Sequence, residues 1–233
     1  MNLILFGPPG AGKGTQASKL ASNFKLKQVS TGDLLRNEIK FNKELGIEIE
    51  GIISQGHLAP DKIVNSLLEK VISDPQNFNR LIFDGYPRNL LQIASLKQLL
   101  NKFNQKISAV FSLKVNKGII TKRITGRIIC TKCLKIFNEY YDPPNNSNHS
   151  CDEKLLKKRS DDNLETILNR FNTYANETNP VLDYYKKYAN FYEIDGNMKI
   201  GEIYNEIEAI LKNIRDWHYV CFIYMFLFKI NPH

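Results

Sequence analysis

The sequence predicts a doubly wound α/β fold, a parallel sheet of five short strands flanked by helices with two small subdomains inserted into it. Three observations carry this. The apolar run at residues 3–6 ends in Gly7-Pro8-Pro9-Gly10, and a helical pattern follows from Lys13 to Asn23; strand, glycine loop and helix open an α/β unit. Four more short apolar stretches, at residues 26–30, 81–84, 109–115 and 190–195, are separated by helical sequence, and parallel strands need such crossovers. Two segments break the alternation. Residues 31–59 read as a helical insertion, and residues 130–162 are polar, Asn-rich and carry Pro143-Pro144.

Composition excludes several classes. A chain of 233 residues with 42% hydrophobic and 24% charged residues can bury a sizeable core and is not disordered. No apolar stretch approaches the roughly 18–20 residues that span a bilayer, and the start lacks a basic leader with a cleavage site, so a cytoplasmic protein is expected. Four cysteines are too few for a disulfide scaffold. The net charge of +8 points to an anionic partner. Of the 32 basic residues only eight are arginine, namely Arg36, Arg80, Arg88, Arg123, Arg127, Arg159, Arg170 and Arg215. Where Lys is the default cation, an Arg marks a need for a rigid fork on carboxylate or phosphate.

Gly7-Pro8-Pro9-Gly10-Ala11-Gly12-Lys13-Gly14-Thr15 fits the phosphate-loop pattern G-x-x-x-x-G-K. Its glycines let backbone N–H groups turn toward phosphate oxygens. The helix beginning near Lys13 adds its partly positive end, Lys13 reaches the β- and γ-phosphates, and the Thr15 hydroxyl suits Mg²⁺. The expected fold is therefore of the P-loop NTPase type. Ser30-Thr31-Gly32-Asp33-Leu34-Leu35-Arg36 begins a capped helix with Arg36 one turn in. Asp84-Gly85-Tyr86-Pro87-Arg88 follows the third strand, with Gln92 read as lying on the same helical face as Arg88. A carboxylate at a strand's carboxyl end, as at Asp84, is placed to order Mg²⁺ and its waters.

With these motifs stand Gln55-Gly56-His57-Leu58-Ala59-Pro60-Asp61, Arg123-Ile124-Thr125-Gly126-Arg127 and Arg159-Ser160-Asp161-Asp162. In this order and over residues 1–212 the chain resembles the adenylate kinases, in the form with a long lid. The resemblance implies a core of residues 1–29, 60–126 and 163–212, an AMP-binding subdomain at 30–59, a lid at 127–162 and an atypical tail at 213–233. It implies reversible phosphoryl transfer from Mg-ATP to AMP giving two ADP, by a monomer. It assigns Gly10, Ala11, Gly12, Lys13, Gly14 and Thr15 to the ATP phosphates, with Arg123, Arg127, Ile136, Phe137 and Met198 also on ATP. Thr31, Arg36, the backbone of His57, Leu58 and Ala59, then Gly85, Tyr86, Pro87, Arg88 and Gln92 would hold AMP. Arg159 and Arg170 would clamp the migrating and acceptor phosphates, oriented by Asp161 and Asp162.

Cys130 and Cys133 have zinc-knuckle spacing, and Cys151 follows. Zinc-bearing lids of the family complete the tetrahedron with a second pair; here Lys154 stands where its last member would fall, so His149 or Asp152 is the candidate fourth ligand. The alternative is a metal-free lid with spare thiols. In the tail, Tyr219 to Phe228 are all apolar or aromatic; an appended segment lying on the core, or without order, is the expectation, with a surface anchor as the sharper alternative. Two other functions stay open at this point. One is a kinase for UMP/CMP or GMP, which Gln92 and the long lid disfavour. The other is a nucleic-acid-binding zinc-knuckle protein, which the scattered lysines disfavour, so no nucleic-acid partner is expected.

Overall fold

The protein, seen in a computed structural model, is described over residues 1–145, 148–159, 162–188 and 190–228. Strand β1 (Asn2–Phe6) leads through the glycine loop into α1 (Lys13–Phe24), and β2 (Lys27–Ser30) into α2 (Thr31–Phe41), α3 (Lys43–Ser54) and α4 (Asp61–Ile72). Then come β3 (Leu81–Asp84), α5 (Leu90–Lys102), β4 (Ile107–Lys114) and α6 (Lys117–Thr125). A small set follows: β5 (Arg127–Cys130), β6 (Ile136–Asn138) and β7 (Leu156–Lys157). The chain closes with α7 (Leu164–Thr173), α8 (Asn179–Tyr185), β8 (Phe191–Asp195) and α9 (Ile200–Phe228).

The main sheet is parallel with order β2-β3-β1-β4-β8. All five residues of β1 are buried because it is the middle strand with helices on both faces. Their side chains alternate, so Ile4 and Phe6 join Val29, Leu68, Phe83 and Leu96 on one face, and Leu3 and Leu5 join Leu20, Phe111, Ile203 and Ile207 on the other. Each such side chain, when fully buried, contributes about 1.5–3 kcal/mol. β1 lies between β3 and β4: the chain crosses from β1 through α1 to β2 at one edge, and from β3 through α5 to β4 on the other side of β1. A crevice opens at that switch point, outside the carboxyl ends of the strands. In register, Leu5 and Ser30 both lie beside Asp84, which sets the glycine loop, Asp84 and the start of α2 around one space.

The helical insertion forms as expected from its sequence. The Ser30 hydroxyl caps α2 by accepting from the Asp33 amide at 3.3 Å, and Asp33 in the first turn suits the helix dipole. The second insertion holds a three-stranded antiparallel sheet, order β6-β5-β7. Between α7 and α8 the helix widens into a π turn at Tyr174–Thr178.

Two local expectations need correction. Arg88 is not on the helix with Gln92: α5 starts at Leu90, capped by the Asn89 side chain accepting from the Gln92 amide at 2.8 Å. The tail does not begin as a separate segment, since α9 runs unbroken from Ile200 to Phe228, anchored through Ile203, Ile207 and Leu211 in the core. The remainder of the tail, 229–233, lies outside the described residues. Among the described residues no helix is long and apolar enough to cross a membrane.

Candidate active site

A cavity of about 630 Å³ fills the crevice. Its floor is the glycine loop and the start of α1. Gly10 has φ +78°, and a Cβ there would sit 2.6 Å from Ile124 Cγ1, so close packing on α6 demands glycine. Gly12, Gly14 and Thr15 line the floor with Ala11. Lys13 Nζ donates to the carbonyls of Gly7 at 2.7 Å and Pro8 at 3.0 Å, holding the ammonium at the loop's mouth. Burial drives its pKa down to about 8; Asp84 opposes this, while Arg88, Arg127 and Arg170 add to it. Burial raises the Asp84 carboxyl, against the pull of Lys13. Its Oδ2 accepts from Gln28 Nε2 at 3.1 Å. The Thr15 hydroxyl and the Asp84 carboxylate both line the cavity, an all-oxygen donor set that fits Mg²⁺.

One end of the cavity is built from α2, the turn before α4 and the loop after β3. Thr31 is buried and donates its hydroxyl to the Gly85 carbonyl at 3.1 Å. Arg88 Nε donates to the same carbonyl at 2.7 Å. Gly85 stands at φ +74°, where a Cβ would meet Arg88 Nη2 at 2.9 Å; this turn too requires glycine. Tyr86 and Pro87 are buried, Arg36 lines the wall, and Leu58 and Ala59 close the back with the exposed His57. Gln92 is 2% exposed and lines the same end.

The opposite end is closed by residues of β5 and β6. Ile136 and Phe137 line it, and Ile136 Cδ1 lies 3.8 Å from where a Cβ on Gly14 would be. Met198 forms part of the wall. Arg123 donates to the Ala11 carbonyl at 3.3 Å, and its guanidinium lies 5.8 Å from the centre of the Tyr141 ring. Arg127 donates through Nε and Nη2 to the two carboxylate oxygens of Asp162, and Arg170 Nη1 is 3.9 Å from the same carboxylate. Arg159 reaches across to Asp33 on α2 at 3.8 Å, and Asp33 also pairs with Arg36.

Every residue assigned to ATP or AMP by the sequence lines this one cavity. Asp162 sits behind it as a support, and Asp161 lies outside the described residues. Lys13 and six arginines border a space whose lining carboxylates, among the described residues, are Asp84 and Asp142. Sequence reasoning missed Asn138, Tyr141, Thr173 and Tyr174 on the lining. It also missed the bonds from α7 to the end of the helical insertion: Thr166 Oγ1 to the Ser54 carbonyl (2.9 Å), Asn169 Nδ2 to Gln55 (3.2 Å) and Thr173 Oγ1 to Gly56 (3.3 Å). These are single polar residues on α7 with no motif around them, so no sequence signal marked them.

Apart from the cavity, Cys130, Cys133, His149 and Cys151 bring their ligand atoms within 4.8 Å of one another. The fourth member is His149 and not Asp152, whose carboxylate instead accepts from the Lys154 amide at 2.9 Å as a helical cap. His149 is buried, and its Nε2 has no hydrogen-bond partner among the described residues. Three thiols and one imidazole gathered in this way are a donor set that suits Zn²⁺. The Cys133 backbone amide, then the His149 side chain and the Lys132 backbone, pull the Cys130 thiol down to about 6, toward the thiolate that binds metal. A tetrahedron with Zn–S bonds of about 2.3 Å has edges of about 3.8 Å, so slight contraction closes the site.

A glycine loop under a switch-point crevice, ringed by guanidinium groups, defines a P-loop nucleotide-binding protein. The comparisons carry this further. The family model described as adenylate kinase matches residues 5–190. The adenylate kinase of Pelagibacter ubique is 49% identical over 212 residues, covering 91% of this chain and 100% of that protein. Those of Mycoplasma capricolum and Archaeoglobus fulgidus are 42% and 39% identical, covering 91% and 92% of this chain and 100% of each relative. The chain belongs to the adenylate kinase family, and it is a phosphotransferase.

Proposed function

We propose that the cations and loop of this cavity perform the family's reaction, reversible transfer of the terminal phosphoryl group of Mg-ATP to AMP to give two ADP. The single observation that carries this assignment is that one cavity joins the glycine loop to the second basic end, with six arginines along its walls. An ATPase that used only the loop would have no purpose for Arg36 and Arg88 at the far end.

ATP phosphates lie on the amides of Gly10 to Thr15 with Lys13 against the β- and γ-phosphates. Arg123 and Arg127 close over them, and Ile136, Phe137 and Met198 enclose the adenine. AMP lies between Thr31, Arg36, the backbone of residues 57–59 and the turn at residues 85–88. An AMP phosphate oxygen attacks the γ-phosphorus, and the bond from that phosphorus to the β–γ bridging oxygen breaks, releasing ADP. The nucleophile is already anionic at neutral pH, so no general base is needed, and catalysis is positioning plus charge stabilisation. Bound with ATP at Thr15 and Asp84, Mg²⁺ supplies neutralisation of phosphate charge. Residues 30–59 and 127–162 act as the AMP-binding and lid subdomains, whose closure excludes water that would otherwise accept the phosphoryl group. Zn²⁺ in the Cys130–Cys133–His149–Cys151 site braces the lid.

Acceptor profiling tests the assignment. With ATP as donor, AMP is the preferred acceptor over UMP, CMP and GMP. Equal or better turnover of a pyrimidine or guanine nucleotide would replace AMP in this account.

A further inference from the structure

Gln92 is a buried amide whose two ends are claimed by groups of fixed chemistry. Its Oε1 accepts from the Arg88 backbone amide at 2.7 Å, and its Nε2 donates to Asp61 Oδ1 at 2.6 Å. A backbone N–H can only donate and a carboxylate can only accept, so the orientation of the amide follows from its partners alone. Asp61 opens α4 and is itself placed by Asn89, whose Nδ2 lies 3.4 Å from both carboxylate oxygens while its Oδ1 caps α5 at the Gln92 amide.

We infer that Asp61 is the positioning residue that makes the acceptor site choose a 6-aminopurine over a 6-oxopurine; the inference rests on the proposal that the acceptor base meets Gln92. After Arg88 and Asp61 are served, a carboxamide keeps one N–H and one oxygen lone pair. That donor and acceptor match N1 and the 6-amino group of adenine. A 6-oxopurine presents the reverse, an N1–H donor and an O6 acceptor, and needs the amide rotated end for end. Rotation would set Gln92 Oε1 against the Asp61 carboxylate and its NH₂ against the Arg88 N–H. Both contacts are repulsive and partly buried, where unsatisfied polar groups are costly. Arg88 N–H alone provides half of that lock; Asp61 provides the other half.

The experiment measures kcat and KM for AMP and IMP, with ATP as donor, in the unmodified enzyme, Asp61→Ala, Asp61→Asn and Gln92→Ala. In Asp61→Ala the ratio of kcat/KM for AMP to that for IMP falls at least about tenfold. The change lies in KM, with IMP improving in absolute terms while the KM for ATP holds. Asp61→Asn, whose amide can present either end to Gln92, loses less. A merely structural role would depress AMP and IMP together and would not improve IMP. If Asp61→Ala keeps the unmodified ratio while Gln92→Ala loses it, the inference is overturned and the placement of the base on Gln92 stands. If Gln92→Ala also keeps the ratio, that placement itself is wrong. Should the alanine variant fail to fold, Asp61→Asn decides: a ratio lowered about threefold or more supports the lock, and an unchanged one overturns it.

Discussion

The Asp162 carboxylate holds Arg127 by two hydrogen bonds, Nε to Oδ2 at 2.7 Å and Nη2 to Oδ1, with only 4% of the Asp162 side chain exposed. A forked pair of this kind fixes the plane of the guanidinium as well as its position. Arg127 begins β5, and Asp162 precedes α7, so the pair ties the two ends of the segment proposed as the lid. Asp162→Ala leaves Arg127 without its counter-charge and Arg170 without a carboxylate 3.9 Å away. Breaking a buried pair from one side typically costs about 3–5 kcal/mol. We expect a lowered melting temperature together with a raised KM for ATP. A variant with unchanged KM and stability would remove Asp162 from the account.

Lys13 makes donor binding pH-dependent. In the free protein its pKa is lowered to about 8 from 10.5, while polyphosphate beside it favours the charged form and raises the value. Above about pH 8, binding of ATP therefore takes up a proton, and affinity weakens as pH rises through that value. Calorimetric titrations in buffers of different ionisation heat should show that uptake, and Lys13→Met should abolish it. For folding the sign is opposite. The unfolded chain holds this proton up to about 10.5, so the burial penalty is present in full below about pH 8 and is relieved above it.

Arg88 and Arg159 need their forks. Arg88 combines a backbone anchor at Gly85 with a guanidinium lining the cavity, and Arg159 spans from the segment proposed as the lid to Asp33. Lys keeps the charge but gives a single ammonium where two parallel N–H groups are required. Arg88→Lys or Arg159→Lys should lower kcat by on the order of 10³ with little change in melting temperature, by analogy with the loss of an arginine finger. Turnover within a few-fold of the unmodified enzyme would show that charge alone suffices.

The four-ligand cluster makes a prediction about composition. Protein purified without chelator should carry close to one equivalent of zinc by elemental analysis, and stripping it should lower the unfolding temperature, because metal-binding energy becomes folding energy. Zinc below about a tenth of an equivalent would leave the three thiols without that role.

Much of this was legible in the sequence for a plain reason: phosphate chemistry uses rare residue types at fixed spacing. Gly10, Lys13, Asp84 and Arg88 stood out in sequence because few side chains, or the lack of one, suit phosphate chemistry, and the structure brings all four to one cavity. The inner strands were legible because parallel strands buried on both faces read as apolar runs, as Leu81-Ile82-Phe83 does. The partly buried edge strands Lys27–Ser30 and Phe191–Asp195 showed mainly through their alternation with helical sequence. The small three-stranded sheet was not, since strands of four, three and two residues carry too little alternation to register. The ligand choice between His149 and Asp152 depended on the cap at Lys154, a matter of local folding invisible in spacing. Placing Arg88 on a helix failed because Asn89 caps α5 and moves its start past Arg88.

The central claim is that one cavity gathers two mutually repelling nucleotides so that a phosphoryl group passes between them. Incubating the pure protein with ADP and Mg²⁺ alone tests it most directly, since ADP must then fill both ends of the cavity. The account predicts that ATP and AMP appear in equal amounts and that omitting Mg²⁺ suppresses them. Appearance of phosphate and AMP without ATP, or no reaction, would contradict it.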